Sequence, residues 1–154
     1  MKLMFDQPAG EWHESLILGN GRIGAAVYGG TKTEQIALNE DTLWSGYPKE
    51  TGKAVPQGYL EKIRELTVQR RYPQAMELAE RALGEAEDPQ MYVPFGNLFL
   101  EFQGEGEITE YHRELNLETA EMIVSYKSDG YRMERRSLVS APDQALVYRI
   151  RSER

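Results

Sequence analysis

The residues best suited to chemistry in this sequence lie close together, between positions 39 and 46. A short apolar stretch at residues 36–38 leads into a dense polar cluster, and a tryptophan follows; the candidates are Asn39, Glu40, Asp41, Thr42 and Trp44. Amide, carboxylate and hydroxyl groups exchange hydrogen bonds with the hydroxyls of a sugar, and an indole ring offers an apolar face to the C–H side of the sugar ring. Taken alone, this composition indicates a carbohydrate site only weakly.

Glu40 and Asp41 are adjacent carboxylates, the residue type that hydrolyses glycosidic bonds. Glycosidases hold their two carboxyl groups roughly 5–5.5 Å apart when they retain configuration and roughly 6.5–9.5 Å apart when they invert it. Neighbouring side chains on an extended strand point to opposite faces. The two residues are therefore predicted to cap a turn, bind hydroxyls or meet a domain interface rather than act as a catalytic pair. Trp44 fits a packed core and an exposed or interface position equally well.

Residues 19–24 carry the glycine spacing G-x-G-x-x-G of dinucleotide-binding loops. Such a loop must open a helix, because the helix N-terminus holds the pyrophosphate. Residues 25–30 instead predict a strand that ends in a turn. These glycines are interpreted as tight-turn or close-packing positions.

The composition limits the ligands and partners that the chain can take. His13 and His112 are the only histidines, they lie far apart, and neither has metal-ligand spacing, so both are predicted to be structural. There are no cysteines, and the sequence predicts neither a metal nor a cofactor. A net charge of −7 argues against nucleic acid, whose phosphates require a basic face.

The sequence also limits the compartment and the membrane relation of the chain. No apolar segment reaches the length of a membrane span, and no membrane partner is predicted. The N-terminal residues lack the apolar run of a signal peptide. A cytoplasmic location is expected, or secretion if a leader was removed.

The pattern of apolar residues predicts a mainly β protein with a helical insertion. At 154 residues one domain is expected, covering 1–154. Strand patterns run through residues 15–46 and return from residue 92, with hairpins predicted across residues 29–32 and 128–130. A loop at 47–56 precedes two helices around residues 57–84, the second beginning near Pro73 and ending at Gly84. Many short strands with turns between them predict an antiparallel β-sandwich.

Four segments together resemble the N-terminal domain of glycoside hydrolase family 95, the α-L-fucosidase and related α-galactoside-type enzymes. They cover almost the whole chain in the order of the family: residues 16–25, 36–46, 93–98 and 111–117, with Tyr126 and Arg135 after them. The string Leu-Asn-Glu-Asp-Thr-Leu-Trp-Ser-Gly at residues 38–46 is its most specific part. We call residues 39–44 the signature segment.

The resemblance implies a β-sandwich of the large super-sandwich kind, which can extend beyond Arg154, at the start of a multidomain enzyme. It implies hydrolysis of terminal α-linked L-fucose with inversion, carried out by a glutamate and an aspartate of an α/α barrel. No barrel residue is in this sequence, so no catalytic residue is assigned to the chain, which is expected to be inactive alone. The signature segment is then a candidate substrate-binding or domain-interface element.

The resemblance also implies the partners. They are α-L-fucosyl or related α-linked glycans, reached through the parent enzyme, and the barrel domain. Two other classes stay open from the residues alone. A stand-alone carbohydrate-binding β-sandwich predicts exposed aromatic residues and measurable sugar affinity, and a structural interaction domain would fit the composition.

Overall fold

The computed structural model describes residues 1–46, 55, 57–83, 90–104 and 106–154. The strands and helices of this part of the chain are β1 (Lys2–Phe5), β2 (Leu16–Gly19), β3 (Ile23–Val27), β4 (Thr33–Glu40), α1 (Tyr59–Val68), α2 (Tyr72–Leu83), β5 (Gly96–Glu101), β6 (Thr109–Asn116), β7 (Glu121–Ser128), β8 (Tyr131–Ser140) and β9 (Ala145–Glu153). The predicted end of the second helix at Gly84 lies outside the described residues, as does the predicted loop at 47–56 except for Val55.

The strands form two antiparallel sheets. One has five strands in the order β1-β6-β7-β8-β9, and the other has four in the order β2-β3-β4-β5. The predicted mainly β fold with a helical insertion is confirmed. Strand β1 was not predicted, because all four of its residues are exposed and show no alternation between buried and exposed positions.

Alternate residues of the two sheets build one hydrophobic core between them. Strands β2, β3 and β4 contribute five buried side chains, and β6 and β7 contribute four from the other sheet: Leu16, Leu18, Ala25, Val27, Ile36, Leu115, Met122, Val124 and Tyr126. The period of two follows from strand geometry, which sends successive side chains to opposite faces. The sheets therefore pack face to face as a sandwich.

The β3–β4 hairpin turns through two glycines that no other residue could replace. Gly29 has φ +78°, and an added Cβ would lie 2.6 Å from the Tyr111 hydroxyl oxygen. At Gly30 an added Cβ would lie 1.9 Å from the carbonyl oxygen of Thr33. The hairpin predicted across residues 29–32 is confirmed, and its tightness explains why both positions are glycine.

The second predicted hairpin and the glycine-rich loop are also turns. Asp129 (φ 51°) and Gly130 (φ 77°) connect β7 to β8 in the left-handed conformation that favours Asp-Gly. At residues 19–24 the side-chain oxygen of Asn20 accepts hydrogen bonds from the backbone N–H groups of Arg22 (3.0 Å) and Ile23 (2.7 Å). A strand follows, not a helix, so this loop joins β2 to β3 and lacks the helix N-terminus that a dinucleotide needs.

The chain divides into two compact units. The first comprises Met1–Leu43 and Tyr92–Arg154 and holds both sheets, and the second comprises Trp44–Met91 and holds the helices. In α1 Leu66 is buried, and in α2 Ala75 and Ala82 are buried, whereas Met76 is 65% exposed. Neither described helix is long and apolar enough to cross a membrane. That the chain is one domain stays a prediction.

Candidate functional site

The signature segment begins on a strand and leaves it at once. Strand β4 ends at Glu40, which pairs with Ile23 of β3, and the preceding Asn39 pairs with Gly24. Asn39 is exposed, Glu40 is half-buried, and Asp41 and Thr42 form an exposed turn. Asp41 therefore lies on a turn and not on an extended strand, where the alternation argument had placed it.

The Glu40 carboxylate is fully engaged by its neighbours. It accepts hydrogen bonds from the hydroxyl (2.5 Å) and the backbone N–H (2.9 Å) of Thr42, and from Nε of Arg22 (2.7 Å). The Thr42 hydroxyl and the Arg22 guanidinium lower the pKa of Glu40 to about 2. A general acid needs a pKa near the working pH, so Glu40 cannot protonate a leaving group and instead ties the turn to the β2–β3 loop.

The lowered pKa of Glu40 makes its contribution to stability depend on pH. Its ordinary value is 4.5 and its folded value is about 2, so the ionised group stabilises the fold above about pH 5 and loses this effect as the pH falls toward 2. We expect Glu40→Gln to lower the melting temperature at pH 7, and this difference from the unsubstituted chain to shrink toward zero near pH 2. Thermal unfolding followed by circular dichroism at stepped pH measures it.

The matched control is Glu101→Gln, which makes the same charge change at an exposed residue of β5. Its melting temperature should follow that of the unsubstituted chain across the same pH series. If the difference in melting temperature between Glu40→Gln and the unsubstituted chain stays constant from pH 7 to pH 2, the Glu40 carboxylate does not stabilise the fold through these hydrogen bonds.

The remaining candidates are exposed. Trp44 belongs to the second unit, and 52% of its surface is accessible, so of its two predicted positions the exposed one is observed and the packed core is not. In the first unit, Asn39 and Asp41 present an amide and a carboxylate to solvent. These three side chains provide an aromatic face and hydrogen-bonding groups that the fold of each unit does not bury.

A buried charge cluster, which the sequence reasoning missed, lies between the sheets. Glu34 is 0% exposed and its carboxylate lies 3.2 Å from Nη1 of Arg135, whose side chain is 1% exposed. The same carboxylate accepts hydrogen bonds from the backbone N–H of Gly29 (2.7 Å) and the hydroxyl of Tyr148 (2.9 Å). Glu34 thus joins the β3–β4 hairpin of one sheet to β8 and β9 of the other.

Two arginines complete this cluster. The Arg135 guanidinium lies 4.9 Å from the ring centre of Phe102 and 5.4 Å from that of Tyr126. Arg113 is 1% exposed; it donates to the carbonyl oxygen of Glu14 (2.9 Å) and lies over the ring of Phe5 (4.6 Å). Stacking on rings and bonding to carbonyls offset part of the cost of burying these cations.

Burial also fixes the protonation of the tyrosines around the cluster. It raises the pKa values of Tyr111 and Tyr148 well above the ordinary value of 10. Both therefore stay neutral phenols and hydrogen-bond donors at ordinary pH, Tyr111 to the carbonyl oxygen of Gly29 (2.7 Å) and Tyr148 to Glu34 (2.9 Å). The charged groups of the cluster and these two phenols form a structural network between the sheets.

The histidines lie beside single carboxylates. His13 is 3.4 Å from Glu11, and His112 is 3.1 Å from Glu114. In the part of the chain that the structure describes, no three histidine, aspartate or glutamate side chains meet in a group that could hold a metal ion. The structural role predicted for each histidine stays a prediction.

Comparison with known proteins relates the chain to fucosidases. It is 36% identical to "Alpha-L-fucosidase 2" of Arabidopsis thaliana over 154 residues, which is 97% of this chain and 18% of the relative. It is 32% identical to "Probable alpha-fucosidase A" of Aspergillus niger over 142 residues, which is 88% of this chain and 17% of the relative. The chain thus spans less than a fifth of the length of these two curated relatives.

A family model described as "Glycosyl hydrolase family 65, N-terminal domain" matches residues 3–154. This match covers both sheets, both helices and the whole signature segment. It gives a coarser assignment than the predicted family 95, but it agrees with the predicted position at the N-terminus of a glycoside hydrolase. The chain belongs to the family of glycosyl hydrolase family 65 N-terminal domains.

Proposed function

We propose that this chain is the N-terminal β-sandwich of an inverting, α-L-fucosidase-like glycoside hydrolase of family 95. The observation that carries the proposal is the 36% identity with a protein named alpha-L-fucosidase 2, which runs through 97% of the chain. A second relative, named a probable alpha-fucosidase, supports the same substrate class at 32% identity. The substrates of the parent enzyme would be α-L-fucosyl or related α-linked glycans.

The catalytic residues of the parent lie outside these 154 residues in this proposal, in an α/α-barrel domain. The carboxylate chemistry of the chain supports this division. Glu40 has a pKa of about 2 and three hydrogen-bond donors around it, and Glu34 is buried against Arg135. Neither could donate a proton to a glycosidic oxygen, so the chain holds and shapes the site but does not perform the reaction.

The signature segment supports the barrel and contributes a wall to its active site. Asn39, Asp41 and Trp44 are exposed, as groups that meet another domain or a sugar must be. They stand at the end of β4 and just beyond it, and loops at strand ends supply binding residues in many folds. Glu40 holds the turn rigid through Arg22 and Thr42, which sets the position of its exposed neighbours.

We expect the isolated chain to be inactive on glycosides. Hydrolysis requires a carboxyl group that can act as an acid opposite a second carboxylate, and the glutamates at the signature segment and in the core are not available for it. The pure chain, incubated with 4-nitrophenyl α-L-fucoside, should release no 4-nitrophenol above the uncatalysed rate. Release that disappears when Asp41 is changed to Asn would place catalysis in this chain and overturn the proposal.

A stand-alone carbohydrate-binding module is the second candidate. It agrees with the sandwich fold and with exposed aromatic residues such as Trp44. It predicts that the protein encoded by the full reading frame binds sugar but hydrolyses none. Hydrolysis of an α-L-fucoside by that protein separates the two candidates in favour of the hydrolase.

A further inference from the structure

The first unit contains a cavity of about 340 Å³ at the end of the sandwich away from the signature segment. It lies among the β3–β4 turn at Lys32, the segment after β5 at Phe102, and the β7–β8 hairpin at Asp129. Strand β4 begins next to it at Thr33 and reaches the signature segment at Asn39, six residues later, which is about 20 Å at the rise of an antiparallel strand. The cavity is therefore separate from the candidate site already described.

Three aromatic rings line the cavity, and two of them contact a buried arginine. Phe102 and Tyr126 line it, and the buried guanidinium of Arg135 lies 4.9 Å and 5.4 Å from their ring centres. Tyr126 is only 3% exposed, so it forms the base of the cavity, and Phe102 presents the more accessible ring. The third ring, Tyr131, stands at the start of β8 and is 41% exposed, with the guanidinium of Arg154 5.8 Å from its ring centre. Rings fixed in this way present a preformed apolar face, which reduces the entropy lost when a ligand binds.

Hydrogen bonds fix the same wall to the β3–β4 turn. The backbone N–H of Phe102 donates to the carbonyl oxygen of Lys32 at 2.8 Å. The hydroxyl of Tyr126 donates to the carbonyl oxygen of Thr31 at 3.3 Å. These two hydrogen bonds tie the turn to Phe102 and Tyr126.

The polar groups of the cavity are varied and balanced in charge. Lys32 provides an ammonium group, Asp129 a carboxylate, and Ser128 a hydroxyl. The Asp129 carboxylate accepts a hydrogen bond from the backbone N–H of Gly106 at 3.1 Å. A Cβ added at Gly106 would lie 2.0 Å from the other carboxylate oxygen of Asp129. One positive and one negative group favour neither an anion nor a cation, but they suit a neutral ligand rich in hydroxyls.

We propose that this cavity binds one neutral sugar ring, a hexose or deoxyhexose unit of a glycan. The Tyr131 ring stacks on the C–H face of the sugar, while Lys32, Asp129 and Ser128 exchange hydrogen bonds with its hydroxyls. The volume suits a small ligand, since ligand pockets begin at about 300 Å³. The site goes beyond the proposed hydrolase function and does not depend on it, because it would hold a glycan whatever bond the parent cleaves.

The test is a titration of the ¹⁵N-labelled chain with methyl α-L-fucopyranoside, methyl β-D-galactopyranoside and the acyclic polyol mannitol. We expect at least one glycoside to shift the amide signals of Lys32, Ser128 and Tyr131 with a dissociation constant on the order of 1 mM. Mannitol should shift them far less, because it has no ring to stack. Tyr131→Ala and Asp129→Asn should each weaken binding about tenfold.

The control variant is Phe99→Ala, which removes a 56% exposed ring from β5, outside the cavity. It should bind the glycoside as the unsubstituted chain does. Asp129→Asn keeps a residue type that tolerates the left-handed conformation of this position, so its loss of binding would not report misfolding. The proposal is overturned if neither glycoside shifts the three amide signals at a glycoside concentration about ten times the expected dissociation constant. It is also overturned if mannitol shifts these signals as much as the glycosides do, or if Phe99→Ala weakens glycoside binding as much as Tyr131→Ala does.

Discussion

Replacing Arg135 by methionine is expected to lower the free energy of unfolding of this chain by about 3–5 kcal/mol. The substitution keeps most of the side-chain volume but leaves the carboxylate of Glu34, which is 0% exposed, without its cation. The two hydrogen bonds from Gly29 and Tyr148 remain, but they do not neutralise the charge. Urea denaturation followed by circular dichroism measures the change as a fall in the transition midpoint.

Three further variants make this result specific to the buried pair. Arg132→Met removes an exposed arginine from the same strand and should change the free energy of unfolding by no more than about 0.5 kcal/mol. Arg135→Lys keeps the charge and should fold even if Arg135→Met does not. The double variant Glu34→Gln with Arg135→Met should recover part of the loss, because no uncompensated charge stays buried. An Arg135→Met chain as stable as the unsubstituted one would show that the pair contributes nothing.

In the full-length parent, Trp44→Ala and Asn39→Ala are each expected to lower kcat/KM for an α-L-fucoside by at least about tenfold, which is about 1.4 kcal/mol of transition-state stabilisation. Both side chains are exposed, so their removal should change the free energy of unfolding of the chain by less than it changes the activation free energy. The comparison requires both measurements on the same variants. A larger effect on activity than on stability identifies residues that meet the barrel or the sugar.

The chain offers a matched control for the tryptophan. Trp12 is 63% exposed and lies in a short 3-10 turn of the first unit, so Trp12→Ala should leave both kcat/KM and stability unchanged. Equal losses of activity and stability in Trp44→Ala would assign that residue a purely structural role. Unchanged activity in both signature-segment variants would remove the segment from the active site.

Much of the sandwich was predictable because its strands alternate. In β2 and β7, buried and less buried residues follow one another with period two, and the turns between strands carry the residues that turns require. Gly29 and Gly30 lie where an added Cβ would collide with Tyr111 or the backbone of Thr33, and Asp129 and Gly130 have positive φ. Local steric requirements of this kind determine which residue types a turn accepts, so the turns can be predicted from the sequence.

The charge cluster could not be predicted by the same reasoning. Glu34, Arg113 and Arg135 occupy inward positions of their strands, where alternation favours apolar residues. Each is compensated by groups distant in sequence: Glu34 by Arg135, and Arg113 by the carbonyl oxygen of Glu14. The sequence did show charged residues at strand positions whose neighbours two residues away are buried. Their partners, however, are determined by the packing of one sheet on the other.

The role of the candidate site stays a prediction, and the sequence showed only part of its local structure. The segment at residues 39–44 stands out by its composition, and the structure gives a different physical reason why Glu40 and Asp41 make a poor catalytic pair. Alternation on a strand does not apply to Asp41, which lies on a turn. Instead, the hydrogen bonds from Thr42 and Arg22 hold the pKa of Glu40 at about 2. These contacts form because the β2–β3 loop lies beside the end of β4. The alternation of residues along one strand cannot predict which loop lies beside it.

The measurement that tests the account most directly is hydrolysis of a panel of 4-nitrophenyl glycosides by the protein encoded by the full reading frame. The panel holds the α-L-fucoside, the α-D-galactoside, the α-D-glucoside and the β-D-galactoside. The account predicts that the α-L-fucoside is cleaved with the highest kcat/KM, and that proton NMR shows the β anomer of L-fucose as the first product. Preference for a glucoside or galactoside, or no cleavage of the fucoside, would contradict it.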